Sequence, residues 1–344
     1  MRILVTGGAG YIGSHACLRL LRDGHTVVAL DDLSRGHRVP MDRLGTEHPE
    51  HFAFVRADLG DAPALRAALE THAIDTVMHF GALAYVGESV DRPMRYYANN
   101  VGAALSMLGA IDEADAPIER FVFSSSCAVY GDPPEGMIPV PEHAPLKPTS
   151  PYGRSKLMLE RILSDVAAAR AREERPIALS ILRYFNVAGA DASGVLGEDH
   201  DPETHLIPIA IRAARGEIEK VEVFGTDYET PDGTCVRDYV HVDDLIDAHV
   251  RAMERVGRGR SETFNIGIGR GSSVLEVLDA VRRVSGREVG SAASPRRKGD
   301  AVALWADGSR IRRELGWSPR FTELDAIVAT AWDWFAAHPD GYAD

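Results

Sequence analysis

The chain opens on an apolar segment, Arg2-Ile3-Leu4-Val5-Thr6, that runs straight into Gly7-Gly8-Ala9-Gly10-Tyr11-Ile12-Gly13. No other stretch restricts the fold as much. Glycines this dense after a strand imply a backbone that approaches something closely, and Ile12, Ala16, Leu20 and Leu21 then follow at helical spacing. A helix entered from such a turn aims unsatisfied N–H groups at its N-terminus, which favours a pyrophosphate there. Two registers coexist. Gly8, Gly10 and Gly13 fit the general dinucleotide spacing, and Gly7, Gly10 and Gly13 fit a variant one residue longer.

The next strand, over 26–30, delivers Asp31 and Asp32, and Asp31 stands 18 residues beyond Gly13. That is near the spacing of a carboxylate that bonds adenosine ribose hydroxyls. A glycine turn alone is often an ordinary tight turn. Strand, glycines, helix, strand and terminal Asp in this order favour a cofactor site instead. Two adjacent carboxylates repel a 2′-phosphate, so NAD is expected rather than NADP; Asp32 by itself equally suits a solvated loop.

The alternation continues through a strand at 52–55 reaching Asp58 and Leu59, a helix over 62–72 and a strand at 76–80 ending in Phe80. A helix over roughly 94–114 carries Asn99, and a strand at 121–126 ends in Ser124, Ser125 and Ser126. A helix from Tyr152 to about Arg172 leads to a sixth strand, at 178–182, running into Arg183-Tyr184-Phe185-Asn186. Strands alternating with helices call for a parallel sheet covered on both faces, with ligands at the strand carboxyl ends. The expected fold is α/β, a Rossmann-type doubly wound parallel sheet with a smaller, interleaved C-terminal substrate lobe. Residues 1–186, with return segments near 238–267, form the dinucleotide lobe; 187–237 and 268–344 form the other.

A net charge of −13 argues against nucleic acid as a partner. No apolar run reaches the length of a membrane span. The segment at the N-terminus reads as a strand and not as a signal peptide, and the three scattered cysteines read as reduced thiols. Both point to the cytoplasm. His79, His200, His205 and His241 show no metal-ligand spacing and read as core or loop histidines, so no metal is expected.

Tyr152 and Lys156 lie four apart, on one helix face, and a strand-end hydroxyl such as Ser126 can meet that face. Each piece has a plainer reading: Tyr-x-x-x-Lys arises by chance, and serines cap turns. Their co-occurrence on one scaffold favours proton-transfer chemistry beside a redox cofactor. Bringing an unperturbed Tyr from a pKa of about 10 to about 7 takes roughly 4 kcal/mol.

The motifs Gly7–His15, Asp31–Ser34, Phe80–Ser89, Ser124–Gly131, Tyr152–Lys156 and Arg183–Ala190 resemble the extended short-chain dehydrogenase/reductase family. Asp232–Val242, Asn265–Gly267 and Arg296–Asp307 narrow the resemblance to its nucleotide-sugar 4-epimerases, over essentially the whole chain. It implies bound NAD, interconversion of UDP-galactose and UDP-glucose through a 4-keto intermediate, and a homodimer paired through the 94–114 and 152–172 helices. Ser126, Tyr152 and Lys156 match the catalytic trio. Gly7, Gly10, Tyr11, Ile12, Gly13, Asp31, Asp58, Leu59, Phe80, Asn99, Ser124 and Tyr184 match cofactor contacts, joined by Asp32, Tyr152 and Lys156. Asn186, Phe224, Arg237, Arg297 and Asp300 match UDP-binding positions. Three positions depart: Ala84 replaces a lysine that contacts the cofactor, His205 replaces an asparagine toward substrate, and Leu304 stands at the gate of the sugar pocket. Alternative substrates are a UDP-N-acetylhexosamine, a UDP-pentose or UDP-glucuronate. A dehydratase needs an acid after the serine, where this chain has Cys127-Ala128; a decarboxylase and a non-catalytic NAD sensor are further rivals.

Overall fold

The computed structural model describes residues 1–134, 136–297 and 301–343. Strands β1 (Arg2–Thr6), β2 (Thr26–Asp31), β3 (Phe52–Arg56), β4 (Thr76–His79), β5 (Arg120–Ser124) and β6 (Ala178–Tyr184) join Ser261–Ile266 in one sheet. The order is Ser261–Ile266, β6, β5, β4, β1, β2, β3, and every neighbouring pair is parallel. This is the expected doubly wound sheet. The strand order reverses beside β1, which opens a crevice at the carboxyl edge.

The period-two alternation of strands decides which side chain meets which layer. Ile3 and Val5 of β1 join an apolar cluster with α1 (Tyr11–Arg22) and the Val242–Arg255 helix. Leu4 points the other way, into a cluster with the Ala62–Thr71, Ala104–Glu113 and Pro151–Arg172 helices. Each fully buried aliphatic side chain contributes about 1.5–3 kcal/mol relative to exposure. A third cluster lies among the Leu206–Arg215, Val274–Ser285 and Leu324–Ala337 helices, in the C-terminal part of the chain.

The helix expected over 94–114 is present from Pro93 to Glu113, but it is not α-helical throughout. Pro93–Tyr97 and Ala104–Glu113 are joined by a π-helical turn over Ala98–Ala103. Side-chain anchoring accompanies this turn. Asn100 accepts from Leu83 N at 2.9 Å, and donates to Leu83 O at 3.0 Å and Ser155 Oγ at 3.1 Å. Three bonds to neighbouring elements compete with regular winding, and π turns of this kind gather at functional sites.

The Pro151–Arg172 helix is locked to the sheet by a buried ion pair. Arg183 on β6 meets Glu160 in a two-pronged contact, Nε–Oε1 at 2.9 Å and Nη2–Oε2 at 2.6 Å. Ser125 Oγ donates to the same carboxylate at 2.5 Å, and Arg183 also donates to Tyr130 Oη at 3.0 Å. Breaking a buried pair strands the surviving charge. Arg183→Leu is therefore expected to cost about 3–5 kcal/mol. The double replacement Arg183→Leu/Glu160→Leu should recover much of that loss, as read from the urea midpoints of the two variants.

Candidate active site

A cavity of about 1560 Å³ runs along the carboxyl edge of the sheet and into the C-terminal part of the chain. Pockets for one small ligand span about 300–1000 Å³, so this one is sized for two. Every described candidate from the sequence lines it except Ser124. Asp300 falls outside the described residues.

The glycine turn forms the floor. Gly7 has φ +69°, and a Cβ there would sit 2.6 Å from Gly81 N; one on Gly13 would collide with the Gly7 carbonyl. These two glycines let β1, the 81–84 loop and α1 close on one another. Gly10 differs, because its Cβ would meet only Gly7 O at 3.5 Å. It is the N-cap of α1 and makes no side-chain cap, so the helix N-terminus is left for an anion. Asp31 Oδ2 accepts from Ala9 N at 3.1 Å and Oδ1 from Leu33 N at 2.8 Å, which ties the carboxylate to the turn. Burial raises its pKa, and the Leu33 and Ala9 bonds oppose that rise. Asp32 caps its own loop by accepting from Ser34 N at 2.8 Å, and Asp58 accepts from Gly60 N at 2.6 Å. The donor set fits a dinucleotide: an open helix N-terminus for pyrophosphate, with carboxylates at two strand ends for ribose hydroxyls.

Tyr152, Lys156 and Ser126 meet on the far wall, at 6%, 3% and 7% exposure. Ser150 caps their helix, its Oγ accepting from Gly153 N at 3.1 Å. Lys156 Nζ donates to Ser124 O at 2.8 Å and lies 6.0 Å from the Tyr152 ring centroid. Ser124 itself does not line the cavity. His249 Nδ1 donates to Leu245 O at 2.9 Å, so its Nε2 accepts from Ser124 Oγ at 2.8 Å. Burial lowers the His249 pKa to about 4, which keeps the imidazole neutral. Its ring also lies 5.1 Å from that of Phe80. The sequence held no signal for His249, which is one buried position on an amphipathic helix.

Burial pushes the Tyr152 phenol up to about 12, although its hydrogen bond with Ser126 draws it down. Burial also pulls the Lys156 ammonium down to about 7, against the Glu160 carboxylate. Forming a phenolate near pH 7 thus takes about 7 kcal/mol. The figure of roughly 4 kcal/mol from the sequence falls short because it left desolvation out.

On the substrate side, Asn186 begins the Asn186–Ala188 strand, and Leu304 pairs in register with Arg237. Leu304 is 6% exposed and packs beside Tyr130 and Phe185. The Arg297 guanidinium stacks 3.9 Å from the centroid of the Phe224 ring. Arg237 Nη1 donates to Val236 O at 2.9 Å. Ala84 is exposed and supplies no cation. Arg35, unmarked in the sequence, lines the cavity and stands 5.0 Å over the Tyr85 ring. His205 lines the cavity, but its Nδ1 faces Glu198 at 2.5 Å. His200 and His205 are therefore not isolated loop histidines, since both rings meet Glu198 and Glu203.

Residues 3–267 match the NAD dependent epimerase/dehydratase family. The chain is 44% identical to the UDP-glucose 4-epimerase of Halalkalibacterium halodurans, across 100% of this chain and 98% of that protein. It is 43% identical to a probable UDP-arabinose 4-epimerase of Arabidopsis thaliana, across 99% of this chain and 82% of the other. The crystal structure of UDP-glucose 4-epimerase from Bifidobacterium longum, in complex with NAD+ and UDP, superimposes with a TM-score of 0.93. It is 38% identical, over 99% of this chain and 100% of that one.

The buried lysine has a measurable consequence. An unfolded Lys titrates near 10.4, and the folded one at about 7, so the unfolded chain binds more protons between those values. Stability from this group rises with pH across that window, and the full penalty applies below pH 7. Lys156→Met is expected to stabilise the ligand-free chain by about 1–3 kcal/mol at pH 6. The gain should shrink toward pH 10, as paired melting curves would show.

Proposed function

The chain belongs to the NAD dependent epimerase/dehydratase family, and on that footing we propose that it interconverts UDP-galactose and UDP-glucose. The observation that carries this reading is the burial of Tyr152, Lys156 and Ser126 on one wall of a two-ligand cavity, opposite an open helix N-terminus. NAD, when bound, supplies hydride acceptance and return at the sugar C4, which passes through a 4-keto intermediate.

The residues of the chain do the rest. Tyr152 takes the C4 hydroxyl proton as the carbon is oxidised and gives it back on re-reduction. Ser126, which hydrogen-bonds the phenol, holds the reacting oxygen. A unit positive charge about 5 Å away lowers the cost of a phenolate by roughly 3 kcal/mol at an effective dielectric near 20. Lys156, when protonated, supplies part of the roughly 7 kcal/mol that the buried phenol needs, and the positive nicotinamide of a bound NAD would supply more. Gly7, Gly10, Tyr11, Ile12, Gly13, Asp31, Asp32, Asp58, Leu59, Phe80, Asn99 and Tyr184 would hold NAD. Asn186, His205, Phe224, Arg237 and Arg297 would hold UDP, with guanidinium forks suited to its diphosphate.

The division of labour follows the chain: residues 1–186 and 238–267 for cofactor, 187–237 and 268–344 for substrate. A homodimer is supported by Met94, Leu105 and Met158, which are 75%, 49% and 44% exposed in the segments expected to pair. Cytoplasmic residence is supported by the reduced thiols of Cys17 and Cys127. Among the described residues no helix is long and apolar enough to cross a membrane. A second reading, epimerisation of a UDP-pentose, is favoured by the 43% identity to the plant relative named for UDP-arabinose.

Purified chain is expected to equilibrate UDP-galactose with UDP-glucose without added NAD. UDP-arabinopyranose and UDP-N-acetylgalactosamine run in parallel measure how wide Leu304 leaves the sugar site. Conversion of UDP-arabinopyranose alone would replace the hexose assignment with the pentose one. Tyr152→Phe should keep NAD through gel filtration yet lose roughly 10²–10⁴-fold in turnover. Near-normal turnover in that variant would remove the proton-transfer role.

A further inference from the structure

The segment between Gly197 and the Leu206–Arg215 helix gathers four side chains that the proposed reaction does not need together. Glu198, His200, Glu203 and His205 each offer one donor atom, and all four atoms lie within 4.8 Å of one another. The two carboxylates are almost fully buried, with side-chain exposures of 4% and 5%. His200 Nδ1 stands 3.2 Å from Glu198 and 3.7 Å from Glu203; His205 Nδ1 stands 2.5 Å and 3.6 Å from the same pair. We propose that these four residues form a structural site for a divalent transition metal ion, zinc by its donor chemistry.

Geometry comes first. Bonds of about 2.0–2.2 Å in a tetrahedron put neighbouring donors roughly 3.3–3.6 Å apart. His200 Nδ1 is already close to that value from Glu198 Oε1, at 3.2 Å, and from Glu203 Oε2, at 3.7 Å, while the 3.6 Å from His205 is to the other Glu203 oxygen, Oε1. Only the contact between His205 and Glu198 is shorter, as a direct hydrogen bond would be, and that ring must draw back by about 1 Å to admit an ion.

Independent support comes from His200. Among the described residues its buried Nδ1 has no well-formed hydrogen bond, although it faces two carboxylates. A buried imidazole nitrogen that faces two carboxylates without a well-aligned hydrogen bond to either is placed as a metal ligand would be. Glu203 is also aimed in advance, since its Oε1 accepts from Thr204 N at 2.6 Å and His205 N at 2.7 Å.

The charge balance agrees. Two neighbouring buried carboxylates require two positive charges, which either two imidazolium rings or one dication can supply. Mixed imidazole and carboxylate donors suit zinc better than magnesium, which prefers oxygen and keeps its waters. Four protein ligands leave no open position, so the role is structural and not Lewis-acid. The His200 ring lies 6.2 Å from Tyr11 of the glycine turn and 6.2 Å from Tyr85. A metal here would pin residues 198–205 against the cavity wall and fix His205 where it lines the cavity. The site is independent of which sugar is epimerised.

The test uses the untagged full chain, freed of metal with a chelator and then given zinc chloride or magnesium chloride. After gel filtration, elemental analysis should find about one zinc and no magnesium per chain. The melting temperature should rise with zinc alone. Glu203→Gln and His200→Asn should each abolish zinc retention while leaving far-UV dichroism unchanged. Less than about a tenth of an equivalent of zinc, or undiminished zinc in both variants, would overturn the site. Should a variant not fold, competition with a chromophoric chelator on the unmodified chain decides. A dissociation constant weaker than about 1 μM is too weak for a structural zinc and would also overturn it.

Discussion

Lys156 sits almost fully buried, its ammonium donating to the Ser124 carbonyl at the end of β5. That placement is unfavourable by itself, because desolvation drives the group toward neutrality. The surrounding structure compensates by over-determining it. The helix that carries Lys156 is capped at Ser150, anchored through Ser155 to Asn100 and bolted to β6 by Glu160 and Arg183. Strand, helix and π turn all converge on one dry cation beside one dry phenol.

The same dryness gives the site its conditional character. In the ligand-free chain the Tyr152 phenol is held well above neutral pH, so nothing there removes a proton without a partner charge. A low local dielectric makes an added positive charge effective at a distance where water would screen it. In the proposed mechanism, cofactor binding would supply that charge and so couple to proton acceptance by Tyr152.

The cavity joins two cores of different kinds. Its floor belongs to a parallel sheet buried on both faces, where strand ends are rigid platforms. Its outer wall comes from short strands and loops, including Asn186–Ala188, Val236–Arg237 and the 198–205 segment. The strand ends and the helices packed on them hold the glycines, Asp31 and Asp58, and the Ser126, Tyr152 and Lys156 cluster. The short strands and loops hold His205, Arg237 and Leu304.

The sequence by itself determined the parallel sheet, the glycine turn, Asp31 and the Tyr152–Lys156 face. Each is written in a local period or a short spacing that survives without knowledge of neighbours. Only the tertiary structure decided the rest. The π turn at Ala98–Ala103 depends on Asn100 reaching Leu83 and Ser155, which no local pattern encodes. His249 reaches Ser124 across 125 residues, and Arg35 gains its place from Tyr85. The lack of a familiar metal spacing also hid the meeting of His200 and His205 with Glu198 and Glu203. Burial, which moves the titrations of Tyr152 and Lys156 in opposite directions, is a property of the packed interior and has no signature in residue order.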